Sequence, residues 1–433
     1  MSSIRLTPPH STINTSISVP GSKSYTNRAL LMAALATGVS RLSKISPGTD
    51  SEALIGALQT LGVGIHASEE TTLIVEGCGG EFRPYVGTID VGPAGTTMRF
   101  LTALCAGIPG ADITLRGTER MHVRPIRDLV DTLRQAGAKI DYLGSEGCPP
   151  LRIHSSDRLR GGRLSLKGST SSQYISALLL TAPLFREGLE VSIEGVQTST
   201  SYIDMTLQSL ADFGLTATHG AYQSFSVQSG QTFHAREYQV EGDASGASYL
   251  WAIAAISGGT VTVENVNPHS AQGDIKFPEL LQKMGCSVAY GERSVTVSGP
   301  TRLHAIEADM TLMPDTAQTL AVIAACAEGP TVLRGLHTLG GKETDRIAAL
   351  HNELHKMGIA TEPGPDYLVI HGGAPHGARI ATYEDHRMGM SFAALAASIP
   401  GIEIEEHRVV DKSFPNFWET IAAMGIRGEI LSY

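Results

Sequence analysis

Six nearly all-apolar segments of helical length recur along the chain at intervals of about 70 residues. They read NRALLMAALATG, RFLTALCAG, ISALLLTAPLFREG, YLWAIAAISGG, LAVIAACAEG and SFAALAASIPG, and each runs into a glycine: Gly38, Gly107, Gly188, Gly259, Gly329 and Gly401. A second set is interleaved with the first. Its members are amphipathic helices followed by a Gly-hydrophobic turn: LQTLGVGI, LRQAGAKI, LADFGLTA, LQKMGCSV, LHKMGIA and IAAMGI, with Gly62, Gly137, Gly214, Gly285, Gly358 and Gly425. In RPIRDLVDTLRQAG the apolar positions Ile126, Leu129, Val130 and Leu133 follow helical spacing, as Ile347, Leu350, Leu354 and Met357 do in TDRIAALHNELHKMG. Alternating strand patterns bounded by Gly, Asn or Pro lie between them: TTLIVEG, DITLRG, LEVSIEG, TVTVENV, SVTVSG, TVLRGL, YLVIHG and IEIEE.

Helices that are apolar on nearly all sides belong inside a fold. The pattern therefore predicts sheets outside and helices inside, a two-domain inside-out α/β barrel with three repeated βαβαββ units per domain. Three units precede residues 236–242 and three follow. One domain is expected over 21–239 and the other over 1–20 plus 240–433, with the first strand, SIRLTPP, completing the second domain. A chain of 433 residues also exceeds the size at which one core stops growing.

Composition narrows the function. Hydrophobic content of 42%, a mean hydropathy near zero and no run of 18 apolar residues predict a soluble, non-membrane protein. MSSIRLTPPH has no apolar stretch of the kind a secretion signal needs, so a cytoplasmic location is expected. Five scattered cysteines with no CxxC or His-rich spacing imply reduced thiols and no metal site. A net charge of −10 argues against nucleic-acid binding. The charge is uneven: residues 21–239 carry 19 Lys+Arg and 20 Asp+Glu, whereas the rest carries 14 and 23.

The polar clusters lie mostly just before the apolar helices. Pro20-Gly-Ser-Lys23-Ser24-Tyr-Thr-Asn-Arg28 places glycine, hydroxyls and two cations at a helix start, which makes an anion site as well as a cap. Gly92-Pro-Ala-Gly95-Thr-Thr-Met-Arg99 and Gly168-Ser-Thr-Ser171-Ser172-Gln173 repeat the theme with more hydroxyls than one cap needs. Between them, Arg116, Arg120, Arg124 and Arg127 read either as a solvated face or, for Arg124 beside Pro125, as a ligand contact. The last three units bring in acids: Glu241-Gly-Asp243-Ala-Ser245, Met313-Pro-Asp315 and Glu384-Asp385-His386-Arg387. Asp243 and Asp315 also read as ordinary N-caps. Lys342-Glu343-Thr-Asp345-Arg346 also reads as a surface charge network. Asp411-Lys412 adds a cation before the last helix. Together the clusters suit phosphorylated or carboxylated small molecules, with Lys23, Asp315, Glu343 and His386 as the acid/base supply and Arg124, Arg346 and Arg387 as anion clamps.

These segments, in order and over nearly the whole chain, resemble the 5-enolpyruvylshikimate-3-phosphate synthase family: PGSKSYTNRALLMAALATG, GPAGTTMRF, RPIRDLVDTLRQAGA, STSSQYISALLL, YQVEGDASGASY, MPDTAQTLA, KETDR, YEDHRMGMSFA and DKSFPNFW. The resemblance implies transfer of the enolpyruvyl group of phosphoenolpyruvate to the 5-hydroxyl of shikimate 3-phosphate, with release of phosphate, in aromatic amino acid biosynthesis. It implies no metal and no organic cofactor, and a monomer is expected. Carried over by motif, Lys23, Ser24, Arg28, Ser171, Ser172, Gln173, Ser199, Tyr202, Asp315 and Lys342 would bind shikimate 3-phosphate. Lys23, Gly95, Arg124, Gln173, Arg346, Arg387 and Lys412 would bind phosphoenolpyruvate. Asp315 would accept the hydroxyl proton, Glu343 would serve the methylene carbon, and the two domains would close on the ligands. Pro93 departs from the Asn common at its position, Phe100 from the Pro, and Thr338 from an Asn that contacts substrate in some members. Two rival readings stand beside this one. The UDP-N-acetylglucosamine enolpyruvyl transferases carry a Lys-Asn pair in the first loop and a reactive Cys before the RP segment, where this chain has Lys23-Ser24 and no Cys between Arg116 and Arg124. A non-catalytic binder of phosphorylated metabolites would not need Lys23, Asp315 and Glu343 together.

Overall fold

The computed structural model describes residues 2–155, 157–167, 171–195, 197 and 199–432. Its contacts divide the chain into two compact units, Gly21–Val240 and Met1–Pro20 with Glu241–Tyr433. The chain thus passes between units twice, at Pro20–Gly21 and Val240–Glu241.

In the Gly21–Val240 unit the helices are α1 (Lys23–Leu35), α2 (Thr49–Thr60), α3 (Gly95–Ala106), α4 (Arg127–Gln135), α5 (Ser172–Leu180) and α6 (Thr200–Asp212). In the other unit they are α7 (Ala244–Ser257), α8 (Phe277–Lys283), α9 (Ala317–Ala325), α10 (Arg346–Lys356), α11 (His386–Ala394) and α12 (Phe417–Ala423). The odd-numbered helices are the all-apolar set and are buried on nearly every side; α9 and α11 are buried at every position. The even-numbered ones bury one stripe, as Leu129, Val130, Thr132 and Leu133 do in α4.

Each unit holds three separate sheets built to one plan. An edge strand runs parallel to the strand beside it, and two antiparallel strands follow. Val86–Asp90 lies parallel to Asp112–Arg116, which pairs antiparallel with Leu151–His154 and then Lys139–Tyr142. In the Gly21–Val240 unit the strand Glu237–Gln239, at the end of that stretch, returns as the parallel edge beside Thr37–Ser43. In the other unit two N-terminal strands are drawn in. Ser2–Thr7 pairs antiparallel with both Ile402–Glu405 and Arg427–Ser432, and Asn14–Ile17 runs parallel to Thr260–Val263. The sequence pattern exposes only the first of these, because Asn14–Ile17 is too short and too polar to read as a strand. Among the described residues the six sheets are open and unlinked, and no closed barrel is found. Four or five short strands satisfy one another and pack on helices without closing a ring.

The two glycine families have different jobs. All six glycines of the amphipathic set have positive φ, between 81° and 103°, directly after their helices, and end those helices in a left-handed turn. The glycines of the apolar set are not helix caps as a rule. α1 ends on Ala36 in an extended conformation, Gly38 and Gly329 lie within the strands that follow, and α7 is closed by Gly258 rather than Gly259. Where a sheet meets the end of a buried helix, room is the constraint. A Cβ on Gly77 would collide with the Ala36 carbonyl oxygen, and one on Gly372 with that of Ala327.

Buried hydroxyls tie the helices together. Ser248, Thr319 and Ser391 form a hydrogen-bonded chain linking α7, α9 and α11, at 3.1 and 3.3 Å. Gly62 tests the turn, since its φ is +92° and an added Cβ would find nothing within 4 Å. Gly62→Ala therefore isolates backbone strain from steric clash, and is expected to cost about 1–2 kcal/mol. A urea denaturation midpoint equal to that of the unmutated chain would refute this.

Candidate active site

In the unit that contains α7 to α12, charge gathers at the starts of α9, α10 and α11. A 3-10 turn over Pro314–Thr316 carries Asp315 ahead of α9. The Asp315 carboxylate accepts from Arg346 Nη1 at 3.0 Å and from Arg387 Nη2 at 2.8 Å, with Lys342 Nζ 3.7 Å away. Arg346, the first residue of α10, is 1% exposed and spreads its guanidinium over three acids. Nη2 donates to Glu343 at 3.0 Å, Nε to Asp385 at 2.7 Å and Nη1 to Asp315. Lys412 closes the group on Glu343 at 2.8 Å. Burial alone would weaken the Arg346 charge, but Asp385, Glu343 and Asp315 outweigh it and hold the guanidinium's pKa above its ordinary value. Arg387 also donates to the Tyr249 hydroxyl and the Asp315 carbonyl, each at 3.2 Å. His386 is buried beside this group, its Nδ1 3.5 Å from Asp385 Oδ1.

The two readings open for the acids now separate. Asp243 is an N-cap, accepting from the Ser245 N–H at 3.3 Å. The N-cap residue of α9 is Thr316, and the Asp315 side chain is taken by arginines. Within KETDR, Asp345 is the N-cap of α10, accepting from the Ile347 and Ala348 N–H groups. The string is no surface network, because Arg346 is buried.

Two acids outside the expected set belong to this centre. Asp385 caps α11 and holds Arg346. Asp274, in the 3-10 turn Gly273–Lys276, is 5% exposed and receives the Ser245 hydroxyl. Its Oδ1 is buried and has no hydrogen-bond partner among the described residues. Burial first, then the nearby charge of Asp315, pushes the Asp274 carboxyl up to about 7, against the pull of Arg387 and of the Ser245 hydrogen bond.

The Gly21–Val240 unit arranges its own candidates at the starts of α1, α3 and α5. Lys23 pairs with the buried Asp50 of α2 at 3.0 Å. Arg28 is buried, and its guanidinium donates to Thr206 Oγ1 at 2.9 Å, Ser176 Oγ at 3.2 Å, and the carbonyls of Ser24 and Tyr202. Desolvation lowers its pKa to about 10. In this structure Arg28 is a brace between α1, α5 and α6. Ser171 caps α5 through the Gln173 N–H, Ser172 is buried, and Gln173 Nε2 reaches Thr96 Oγ1 at 3.2 Å. Ser199 is buried in a left-handed conformation, φ 55°, ahead of α6. Gly168, Ser169 and Thr170 lie outside the described residues.

Of the four clustered arginines, Arg116 and Arg127 make exposed ion pairs with Asp90 and Glu146. Arg124 is the buried one, 8% exposed, and its Nε has no hydrogen-bond partner among the described residues. It lies against Gly95, where a Cβ would come within 2.6 Å of Nη1. Arg99 is buried next to it and holds the Gly95 and Pro125 carbonyls at 3.1 and 2.9 Å. The sequence places Arg99 in a helix-start cluster without naming its partners, and hides Asp50 because it sits among the first residues of an amphipathic helix.

The family model for "EPSP synthase (3-phosphoshikimate 1-carboxyvinyltransferase)" matches residues 8–421. The chain belongs to the EPSP synthase family. It is 44% identical over 426 residues to the 3-phosphoshikimate 1-carboxyvinyltransferase of Yersinia ruckeri, covering 96% of this chain and 98% of that one. It is 41% identical over 416 residues to the enzyme of that name in Methanoculleus marisnigri, covering 96% and 97%. Among solved structures it resembles an EPSP synthase from Acinetobacter baumannii with a TM-score of 0.84 and 27% identity, over the full length of both chains. The mixed α/β fold of many small sheets is thus that of solved EPSP synthases. Among the described residues no group of three or more His, Cys, Asp or Glu is placed to hold a metal, and no helix is long and apolar enough to cross a membrane. Cys105 is fully buried, and desolvation pushes its thiol up to about 12.

Asp274 supplies a pH test. Its folded pKa lies above the ordinary 3.8, so the folded chain keeps a proton that the unfolded chain has released between about pH 4 and about 7. Its contribution to stability is complete below that window and is lost as pH rises through it. Asp274→Asn does not titrate, so its melting temperature relative to the unmutated chain should rise between about pH 5 and about pH 8. A difference that stays constant with pH would show that Asp274 is ionised throughout.

Proposed function

We infer that this chain transfers the enolpyruvyl group of phosphoenolpyruvate to the 5-hydroxyl of shikimate 3-phosphate, giving 5-enolpyruvylshikimate 3-phosphate and phosphate. The observation that carries the mechanism is the sharing of one buried guanidinium, Arg346, by two acids, Asp315 and Glu343. Each acid sits on its own nitrogen, so the pair is held apart by one guanidinium's width and can serve two different atoms of one reaction.

In the addition step Asp315 takes the proton of the 5-hydroxyl as its oxygen bonds to C2 of phosphoenolpyruvate, while Glu343 delivers a proton to the methylene carbon. In the elimination step the methyl group returns a proton to Glu343, the C–O bond to phosphate breaks with its electron pair going to the phosphate oxygen, and that phosphate takes the proton Asp315 had accepted, so both acids regain their starting states. Lys23, Gly95, Arg124, Gln173, Arg346, Arg387 and Lys412 are assigned to phosphoenolpyruvate. Lys23, Ser24, Arg28, Ser171, Ser172, Gln173, Ser199, Tyr202, Asp315 and Lys342 are assigned to shikimate 3-phosphate. Cations stabilise the charge that builds on the departing phosphate and offset repulsion between two polyanions. His386 is assigned a supporting role in proton transfer through its contact with Asp385. The burial of the odd-numbered helices supports an inside-out arrangement in each unit, although the sheets do not close a barrel. We assign the Gly21–Val240 unit mainly to shikimate 3-phosphate and the other to the catalytic acids. A monomer working in the cytoplasm without metal or organic cofactor completes the reading.

Phosphate release from purified protein decides it. Release is expected with phosphoenolpyruvate plus shikimate 3-phosphate and not with phosphoenolpyruvate plus UDP-N-acetylglucosamine; the reverse result would overturn the assignment. Asp315→Ala should lower kcat by about a hundredfold or more while shikimate 3-phosphate binding stays within roughly tenfold. Near-normal kcat in that variant would remove Asp315 from the mechanism. Gly95→Ala drives a methyl group into the Arg124 guanidinium, so the KM for phosphoenolpyruvate should rise by about tenfold or more. An unchanged KM would separate Arg124 from that substrate.

A further inference from the structure

A buried acid outside the candidate site is hydrogen-bonded to a left-handed turn that leads into it. Glu353 lies on α10 seven residues after Arg346, on the same face of the helix, and is fully buried. Its carboxylate accepts from the Tyr383 hydroxyl at 2.7 Å, from the Ala381 N–H at 3.1 Å and from Lys356 Nζ at 2.8 Å. Tyr383 and Glu384 are the two central residues of a tight turn, closed by a hydrogen bond from the Asp385 N–H to the Thr382 carbonyl at 2.9 Å. Both are left-handed, with φ of 54° and 56°. A turn with two positive φ values is ordinarily built from Gly, Asn or Asp. Tyrosine and glutamate hold that conformation only where the surroundings over-determine it. Asp385 follows at once, caps α11 and receives Arg346, and Arg387 then reaches Asp315. α10 therefore grips this stretch at two points: Glu353 holds the turn, and Arg346 holds the acid that the turn delivers.

We propose that Glu353 is a positioning residue for enolpyruvyl transfer, fixing the Thr382–Asp385 turn and with it the placement of Asp385 and Arg387 against Arg346 and Asp315. This rests on the assignment of Arg346 and Arg387 to phosphoenolpyruvate. Glu353→Gln keeps the shape but cannot accept from the tyrosine hydroxyl and the Ala381 N–H while also pairing with Lys356.

The test is steady-state kinetics at a temperature where circular dichroism shows the variants folded. Glu353→Gln should raise the KM for phosphoenolpyruvate about tenfold and leave that for shikimate 3-phosphate within roughly twofold. Tyr383→Phe removes only the hydroxyl contact and should shift the same constant in the same direction by roughly threefold. A purely structural role predicts a lower melting temperature with neither KM selectively changed, and that result would overturn the proposal. Arg387→Lys separates the two ideas. If it raises the phosphoenolpyruvate KM while Glu353→Gln and Tyr383→Phe do not, the positioning role alone fails. If it leaves that KM unchanged, the site assignment fails and the proposal with it.

Discussion

A guanidinium that is almost entirely out of water sets the terms for the unit containing α7 to α12. Removing a charge from water costs several kcal/mol unless countercharges and hydrogen bonds replace the lost hydration. Arg346 meets that demand with Asp315, Glu343 and Asp385, brought from the starts of α9, α10 and α11. Those helix starts cannot drift apart without exposing an unpaired charge, so one residue ties the bundle together and fixes the spacing of Asp315, Glu343 and Asp385. The positive ends of the helix dipoles favour the carboxylates gathered there.

The Gly21–Val240 unit meets a similar demand with less charge. Arg28 bridges α1, α5 and α6 through hydroxyls and carbonyls and has no carboxylate partner among its hydrogen bonds, which is why its pKa falls while that of Arg346 rises. Arg99 does comparable work for the Gly95–Arg124 contact by holding carbonyls on either side of it. In both units, then, buried arginines have a structural part. They join helices whose apolar sides alone would allow sliding.

The repeat is legible because it rests on two local rules. An all-apolar helix is buried, and a glycine after an amphipathic helix permits the left-handed turn that ends it. Both can be read from neighbours in the chain. The glycines after the apolar helices look like caps in sequence, yet several serve the following strand instead. Asp243 and Asp315 also look alike, each an acid before an apolar helix, but one caps and the other is drawn to arginines from distant helices. Asp50, Asp274 and Glu353 are hidden for one reason. At helical spacing, or among apolar neighbours, a single charge reads as a solvated position until its burial and partners are known.

The sequence by itself determined the period, the identity of the buried helices and the family to which the chain belongs, because these depend on residue type and spacing. Tertiary structure decided which charges are paired. It put Asp385 on Arg346, Glu353 under a left-handed Tyr383–Glu384 turn and Arg28 among hydroxyls. Among the described residues it also left the six sheets unlinked to one another. The physical reason is range. Apolar periodicity is a property of one helix, whereas the partner of a buried charge is chosen by whichever distant element the packing brings within hydrogen-bonding distance.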